Sequence, residues 1–280
     1  MEYIIAPLWY GACKRGTETG ALRLAELFEK EGLSQGSGFA VPNDASCEDV
    51  LMPYFNVIDK VNAQLCESVY SALSSGGKVI IIGGDHSISW GSIAGALKFN
   101  PEIGVIYLDA HGDCNIAERS STHHIHGMHM AYLMGFGGAE YVQRYTNNLL
   151  PVKNILYVGA RSLDPYEVEL INEHGISWIP SKFINSNMQG TIEKVSEFLS
   201  RFKQIHISLD IDVLDPSIAP GTGVPEKGGI TEEALCEIIS LIRGEGKVLS
   251  IDLVEYNPLL DIDSRTDRIV QRLVKMLCSL

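Results

Sequence analysis

Short apolar runs recur along the chain at Tyr3–Ala6, Lys78–Ile82, Gly104–Leu108, Ile155–Val158, Ile205–Leu209 and Val248–Leu253. Most are nearly continuous rather than alternating, the pattern of strands covered on both faces. Helical spacing occupies the intervals. One such stretch, Thr19–Glu31, carries Leu22, Leu24, Leu27 and Phe28 and stops at Gly32. A second runs from about Tyr54 to Ser75 with Phe55, Ile58, Leu65, Val69 and Leu73 on one stripe, and stops at Gly76-Gly77. A third opens near Thr231, with Glu232 and Glu233 in its electropositive first turn. The last, Asp267–Cys278, places Ile269, Val270, Leu273, Val274 and Leu277 on one face. Strands alternating with helices predict a three-layer α/β/α sandwich around a central parallel sheet, read as one domain over residues 1–280. No internal repeat or Pro/Gly/Ser linker divides the chain. A parallel sheet of this kind binds ligands in the crevice at the carboxyl ends of its strands.

What the strands deliver there is acidic. The run Lys78–Ile82 leads into Gly83-Gly84-Asp85-His86-Ser87, and Gly104–Leu108 into Asp109-Ala110-His111-Gly112-Asp113. Ile205–Leu209 leads into Asp210-Ile211-Asp212, and Val248–Leu253 into Glu255-Tyr256-Asn257-Pro258. Alternate residues of an extended segment point the same way, so Asp109, His111 and Asp113 are expected to converge, as are Asp210 and Asp212, with Cys114 turned away. Singly, each motif is more often a capped turn or a solvated loop than a metal site, with Asp85 as the capping residue of the first. Together they place four Asp side chains in one crevice, where they cannot all ionise unless cations neutralise them. Two divalent ions balance four carboxylates, with His86 and His111 as neutral nitrogen donors. Oxygen-rich ligands with two imidazoles suit Mn²⁺, while Zn²⁺ or Co²⁺ could also enter.

The overall charge agrees with cationic partners. The chain carries 35 Asp plus Glu against 22 Lys plus Arg, a net charge of -13. Phosphate-rich surfaces would be repelled, which argues against nucleic acid and anionic membranes as partners. No apolar run approaches the roughly 18 residues of a membrane span. The first residues lack the basic segment and long apolar run of a secretion signal. The six Cys are scattered, with no C-x-x-C pair, and read as reduced thiols. A cytoplasmic location is expected.

The segment Ser120-Ser121-Thr122-His123-His124-Ile125-His126-Gly127-Met128-His129 holds four His. It reads as a metal-binding tract, as a polar loop, or as the source of one His that carries protons beside the metals. Spacing alone does not choose among them.

In order along nearly the whole chain, Gly83–Ser87 (GGDHS), Asp109–Asn115 (DAHGDCN), Ser208–Pro216 (SLDIDVLDP), Pro220–Gly229 (PGTGVPEKGG) and Glu255–Pro258 (EYNP) resemble the ureohydrolases, the family of arginases and agmatinases. Arg15–Gly20 is similar to the family's opening loop. The resemblance implies a parallel sheet between helical layers and two Mn²⁺ per chain. It also implies hydrolysis of a guanidino group to urea and an amine by a metal-bridging hydroxide. By matching motif positions, one metal falls to His86, Asp109, Asp113 and Asp210. The other falls to Asp109, His111, Asp210 and Asp212. Glu255 matches the acid that pairs with the substrate guanidinium, and His126 the proton shuttle. Asp113 is positioned to carry the proton to the leaving amine.

Within the family the chain looks most like an arginase acting on L-arginine. Asn115, Thr122 and Asp164 match residues that grip the α-carboxylate and α-amino groups, and the interval from Asp113 to His126 is also arginase-like. Each of the three is alternatively plain turn chemistry. There are departures. His123-His124 stand where arginases usually show Gly-Asn, His129 replaces a common Pro, and Gly221 stands where many have Ala. They leave agmatine, a bulkier guanidino compound or peptidyl arginine as alternative substrates. A metal-binding relative without turnover is a further alternative, against which stands that every ligand position is filled. Family members are commonly trimers or hexamers, so a homo-oligomer is expected.

Overall fold

The computed structural model describes residues 1–47 and 49–279. Its strands are β1 (Glu2–Ala6), β2 (Ser34–Gly38), β3 (Val79–Gly83), β4 (Gly104–Leu108), β5 (Ile155–Gly159), β6 (Ser177–Pro180), β7 (Ile205–Asp210) and β8 (Val248–Val254). They form one sheet in the order β2-β1-β3-β8-β7-β4-β5-β6, and every pairing is parallel. The six apolar runs are the six inner strands, each within one or two residues of its expected bounds. The two edge strands, SQGSG and SWIP, carry no apolar run. Packed on one side only, and partly exposed, they need none.

The helices are α1 (Thr17–Lys30), α2 (Phe55–Ser74), α3 (Ser89–Phe99), α4 (His129–Met134), α5 (Ala139–Gln143), α6 (Pro165–His174), α7 (Ser181–Ser186), α8 (Met188–Ser200), α9 (Glu232–Gly244) and α10 (Arg265–Leu277). The four anticipated helices are α1, α2, α9 and α10. Strand residues alternate between two cores. Ile4, Ile81, Val105 and Ile155 pack with Leu65 and Val69 of α2 and Ile93 and Leu97 of α3. Ile5, Ile82, Ile106 and Leu156 pack with Leu24 and Phe28 of α1, Phe198 of α8, Ile238 of α9 and Leu273 of α10. Both faces are buried under helices, which is why most of these strands read as nearly unbroken apolar runs.

Register decides where the chemistry emerges. Ile82 pairs Leu253, Leu253 pairs Leu209, and Leu209 pairs Leu108. Four central strands, β3, β8, β7 and β4, therefore end level with one another. Their following residues share one edge, although they come from widely separated parts of the sequence.

Candidate functional site

The turn after β3 is built by backbone contact. A Cβ on Gly84 would lie 1.7 Å from the Leu8 carbonyl oxygen, so only glycine fits there. Asp85 then caps the turn, accepting from Ser87 N at 2.9 Å, and ties down the opening loop through Gly11 N at 2.8 Å. Its role is structural. His86, next in the chain, is buried and points Nδ1 at three carboxylates: Asp109 Oδ2 at 2.9 Å, Asp210 Oδ2 at 3.1 Å and Asp113 Oδ2 at 3.2 Å. His111 Nδ1 lies 3.0 Å from Asp212 Oδ2 and 3.4 Å from Asp109 Oδ1.

The expected convergence is present, but its cause differs from simple strand alternation. β4 ends at Leu108, and the segment Asp109–Asp113 bends, with Asp113 in the left-handed region at φ 47°. A tight 3-10 turn over Ile211–Val213 turns Asp212 back, and Asp212 N donates to Asp210 Oδ1 at 2.7 Å. Glu255 also sits at positive φ, 61°. Backbone strain at two acids of one cluster holds the carboxylates where relaxed strands would not. Cys114 is buried away from the cluster, and its N–H donates to Glu167 Oε1 at 2.9 Å.

The donors suit hard divalent cations. Asp109 Oδ2 is buried without a hydrogen-bond partner among the described residues, despite its closeness to His86. The sets His86–Asp109–Asp210 and Asp109–His111–Asp212 each bring three ligand atoms close enough for one ion, and Asp109 belongs to both. His86 Nε2 lies 2.8 Å from Ser208 Oγ, which can accept a ring proton there and so leave Nδ1 available to ligate. Electrostatics agree. Burial, then the charges of Asp212 and Asp109, push the Asp210 carboxyl well above the usual range. Burial would lower both imidazoles, but the surrounding Asp side chains hold His86 and His111 well above their ordinary value. With no other cations, protons are the only charges that can balance this cluster.

Behind Ser208 the sheet is polar, which the reading of β7 and β8 as dry apolar strands did not foresee. Ser89 and Ser92 donate to Asp252 Oδ2, and His206 lies 3.2 Å from the same oxygen and 2.8 Å from Ser250 Oγ. The alternation His206-Ile207-Ser208 and Ser250-Ile251-Asp252 was the available signal. Every second residue is polar on the face toward α3.

A cavity of about 230 Å³ opens beside the cluster. His111, Asp113, Asp210 and Asp212 line it, as do His126, Glu255, Asn115, Thr122 and Asp164. The Glu255 carboxylate is anchored through Oε1, which accepts from His86 N at 2.9 Å and lies 3.0 Å from His126 Nδ1. Its Oε2 is buried with no hydrogen-bond partner among the described residues. Burial would lower the His126 pKa, but the bond to Glu255 and its charge outweigh this and hold it up at about 9. Asn115 Nδ2 donates to Asp164 Oδ2 at 2.7 Å.

Among the cavity-wall residues that sequence reasoning missed is Glu167. Glu167 is buried, accepts from Asp164 N at 2.8 Å through Oε2, and has its pKa raised by burial to about 7. The signal was the spacing Asp164-Pro165-Tyr166-Glu167, a capping box at the start of α6 that turns both acids toward the site.

The His-rich segment does not gather into one tract. His123 Nδ1 lies 3.1 Å from the Ala117 carbonyl, His124 lines the cavity, His126 meets Glu255, and His129 is fully buried beneath them. Of the four, only His129 shares a set of ligand-capable atoms, with His86 and Asp113.

A model of the Arginase family matches residues 5–279. The chain belongs to the arginase family. The arginase of Bacillus subtilis (strain 168) is 32% identical, over 97% of this chain and 95% of that protein. The arginase of Staphylococcus aureus (strain MRSA252) is 33% identical, over 95% of this chain and 92% of the relative. Among solved structures, Entamoeba histolytica arginase in complex with L-ornithine superposes with a TM-score of 0.90 at 30% identity, over 99% of this chain and 97% of that one. The arginase family is one of metal-dependent hydrolases, and the His/Asp cluster at the strand ends is where this chain can meet that requirement. No helix among the described residues is long and apolar enough to cross a membrane.

Proposed function

We propose that this chain hydrolyses L-arginine to urea and L-ornithine, with two Mn²⁺ held by His86, Asp109, Asp113, Asp210, His111 and Asp212. The observation that carries the reading is the composition of one cavity. Ligand-capable His111, Asp113, Asp210 and Asp212 line it together with Glu255 and the hydrogen-bonded pair Asn115–Asp164. A metal pair, when bound, supplies a hydroxide-like nucleophile from water near neutral pH. Glu255 Oε2 accepts from the guanidinium and holds its carbon in line for attack. The new C–O bond makes the carbon tetrahedral, and the C–N bond to the side chain breaks only as the departing nitrogen gains a proton. Asp113 carries that proton, and His126, protonated at neutral pH beside Glu255, exchanges it with solvent. Asn115 and Thr122 bind the α-carboxylate, and Asp164 and Glu167 the α-ammonium. A homo-oligomer, trimeric or hexameric, in the cytoplasm completes the proposal.

The deciding experiment is urea release from L-arginine and agmatine by the Mn²⁺-loaded protein. Arginine is expected to win by on the order of 10²-fold in kcat/KM, because agmatine leaves the carboxylate-binding groups unpaired. Preference for agmatine would overturn the assignment of Asn115 and Thr122. Urea from neither substrate would overturn the proposed reaction.

Two further results are expected. Glu167 is neutral below about pH 7 and ionised above it, so its hold on the α-ammonium strengthens as pH rises. KM for arginine should fall through that range. Glu167→Gln should raise KM roughly tenfold at high pH and flatten this part of the profile. Metal binding must displace protons from His86 and His111, whose folded-state pKa values are raised. Titration calorimetry of Mn²⁺ in buffers of different ionisation enthalpy should therefore show proton release, and affinity should drop as pH falls. Binding of clearly more than two ions per chain would point instead to sequestration by the His-rich segment.

A further inference from the structure

His129 and Tyr107 are buried polar groups that the proposed mechanism does not use. Tyr107, on β4, lies flat against His86, with ring centroids 4.7 Å apart and planes within 4°. Its hydroxyl sits among three polar atoms: Asp113 Oδ2 at 2.7 Å, His129 Nε2 at 3.0 Å and His86 Nδ1 at 3.2 Å. His129 is fixed from its other side. Its Nδ1 lies 2.8 Å from the His126 carbonyl, which can only accept, so Nδ1 carries the proton. The neutral ring then offers Nε2 as a second acceptor to the phenol. The hydroxyl has one proton for three contacts. The shortest is to the carboxylate, the strongest acceptor of the three, so the proton goes to Asp113. The main chain adds a second tie, because Met130 N donates to the Asp113 carbonyl at 2.9 Å.

We propose that Tyr107, seated by His129, is a positioning residue for the metal ligands His86 and Asp113. The phenol ring sets the plane of the imidazole, and the hydroxyl sets the rotation of the carboxylate. Neither Asp212 nor His111, the ligands on the other side of Asp109, touches Tyr107 in any hydrogen bond or ring contact among the described residues. The effect is therefore asymmetric: one ion depends on Tyr107 and the other does not. The same network joins the turn that carries His126 to the ligand Asp113, through the His126 carbonyl, His129 and Tyr107.

This inference rests on the two-metal reading of the site. Tyr107→Phe keeps the ring against His86 and removes only the hydroxyl, so the fold should survive. Mn²⁺ is titrated calorimetrically into metal-free wild type and variant, with the melting temperature of the metal-free proteins measured alongside. Wild type should bind two ions. The variant should bind one of them about 10- to 100-fold more weakly, the range found when a partner of a metal ligand is lost, and the other within about twofold. The metal-free melting temperatures should match within a few degrees. Two unchanged affinities would overturn the positioning role and leave the two-metal reading intact. Equal weakening of both ions together with a lower metal-free melting temperature would make Tyr107 a packing residue only, and would also overturn it. Failure of wild type to bind two ions would overturn both.

Discussion

Asp109→Asn is expected to lower kcat/KM for arginine by on the order of 10³-fold or more. Asp109 is shared by the sets His86–Asp109–Asp210 and Asp109–His111–Asp212, and its Oδ2 is buried without a hydrogen-bond partner among the described residues. An amide keeps the shape but removes the charge and turns one ligand atom into a donor. Neither ion retains its ligands, and loss of metal-assisted attack is worth several kcal/mol, each 1.36 kcal/mol being about tenfold. The stability consequence is smaller in the metal-free protein. There the change removes both a repulsion between carboxylates and a partner that holds His86 and His111 protonated, opposing effects that should leave the melting temperature within a few degrees of wild type. Added Mn²⁺ should raise the melting temperature of wild type and not of the variant, because only a state that binds the ion is stabilised by it. Scanning calorimetry with and without Mn²⁺, beside urea-release kinetics, checks both halves. Full activity with two bound ions would remove Asp109 from the site.

Glu255→Gln should be nearly as damaging, at about 10²–10³-fold in kcat/KM. A carboxylate with one oxygen anchored and the other buried and free is suited to receive a cation. Truncating one partner of a desolvated charged pair is worth about 2–5 kcal/mol. Metal content should stay at the wild-type value, because Glu255 belongs to none of the ligand sets. The substitution also has a signature in pH. Glu255 is what holds His126 up at about 9. Without that charge, burial pulls the imidazole down, and any limb of the kcat profile due to His126 should move toward lower pH. A profile unmoved by Glu255→Gln would show that His126 does not govern turnover. A variant as active as wild type would show that the guanidinium is bound elsewhere.

Much of this site could be read before folding, because its chemistry is written in short, dense motifs. Asp109-Ala110-His111-Gly112-Asp113 and Asp210-Ile211-Asp212 crowd acids so closely that cations follow from charge alone. The inner strands were legible for a related reason: buried on both faces, they tolerate few polar residues. Legibility failed where burial did not constrain the sequence or where it was partial. The edge strands β2 and β6 carry no apolar run. The polar face of β7 and β8 was hidden inside runs that still looked apolar. Glu167 was overlooked because a capping box reads as local helix chemistry, although in the fold it faces the cavity.

By itself the sequence determined the α/β architecture, the acidic edge with its His and Asp residues, and the family to which they belong. Each of these depends on local composition and spacing along the chain. The tertiary structure alone decided that β3, β8, β7 and β4 lie side by side and end level, bringing His86, Asp109, Asp210 and Glu255 into one crevice. It alone bent Asp113 and Glu255 into left-handed backbone and set Tyr107 between His86, Asp113 and His129. Those outcomes depend on strand order, register and strain, which are set by packing between segments far apart in the chain. No window of sequence contains them.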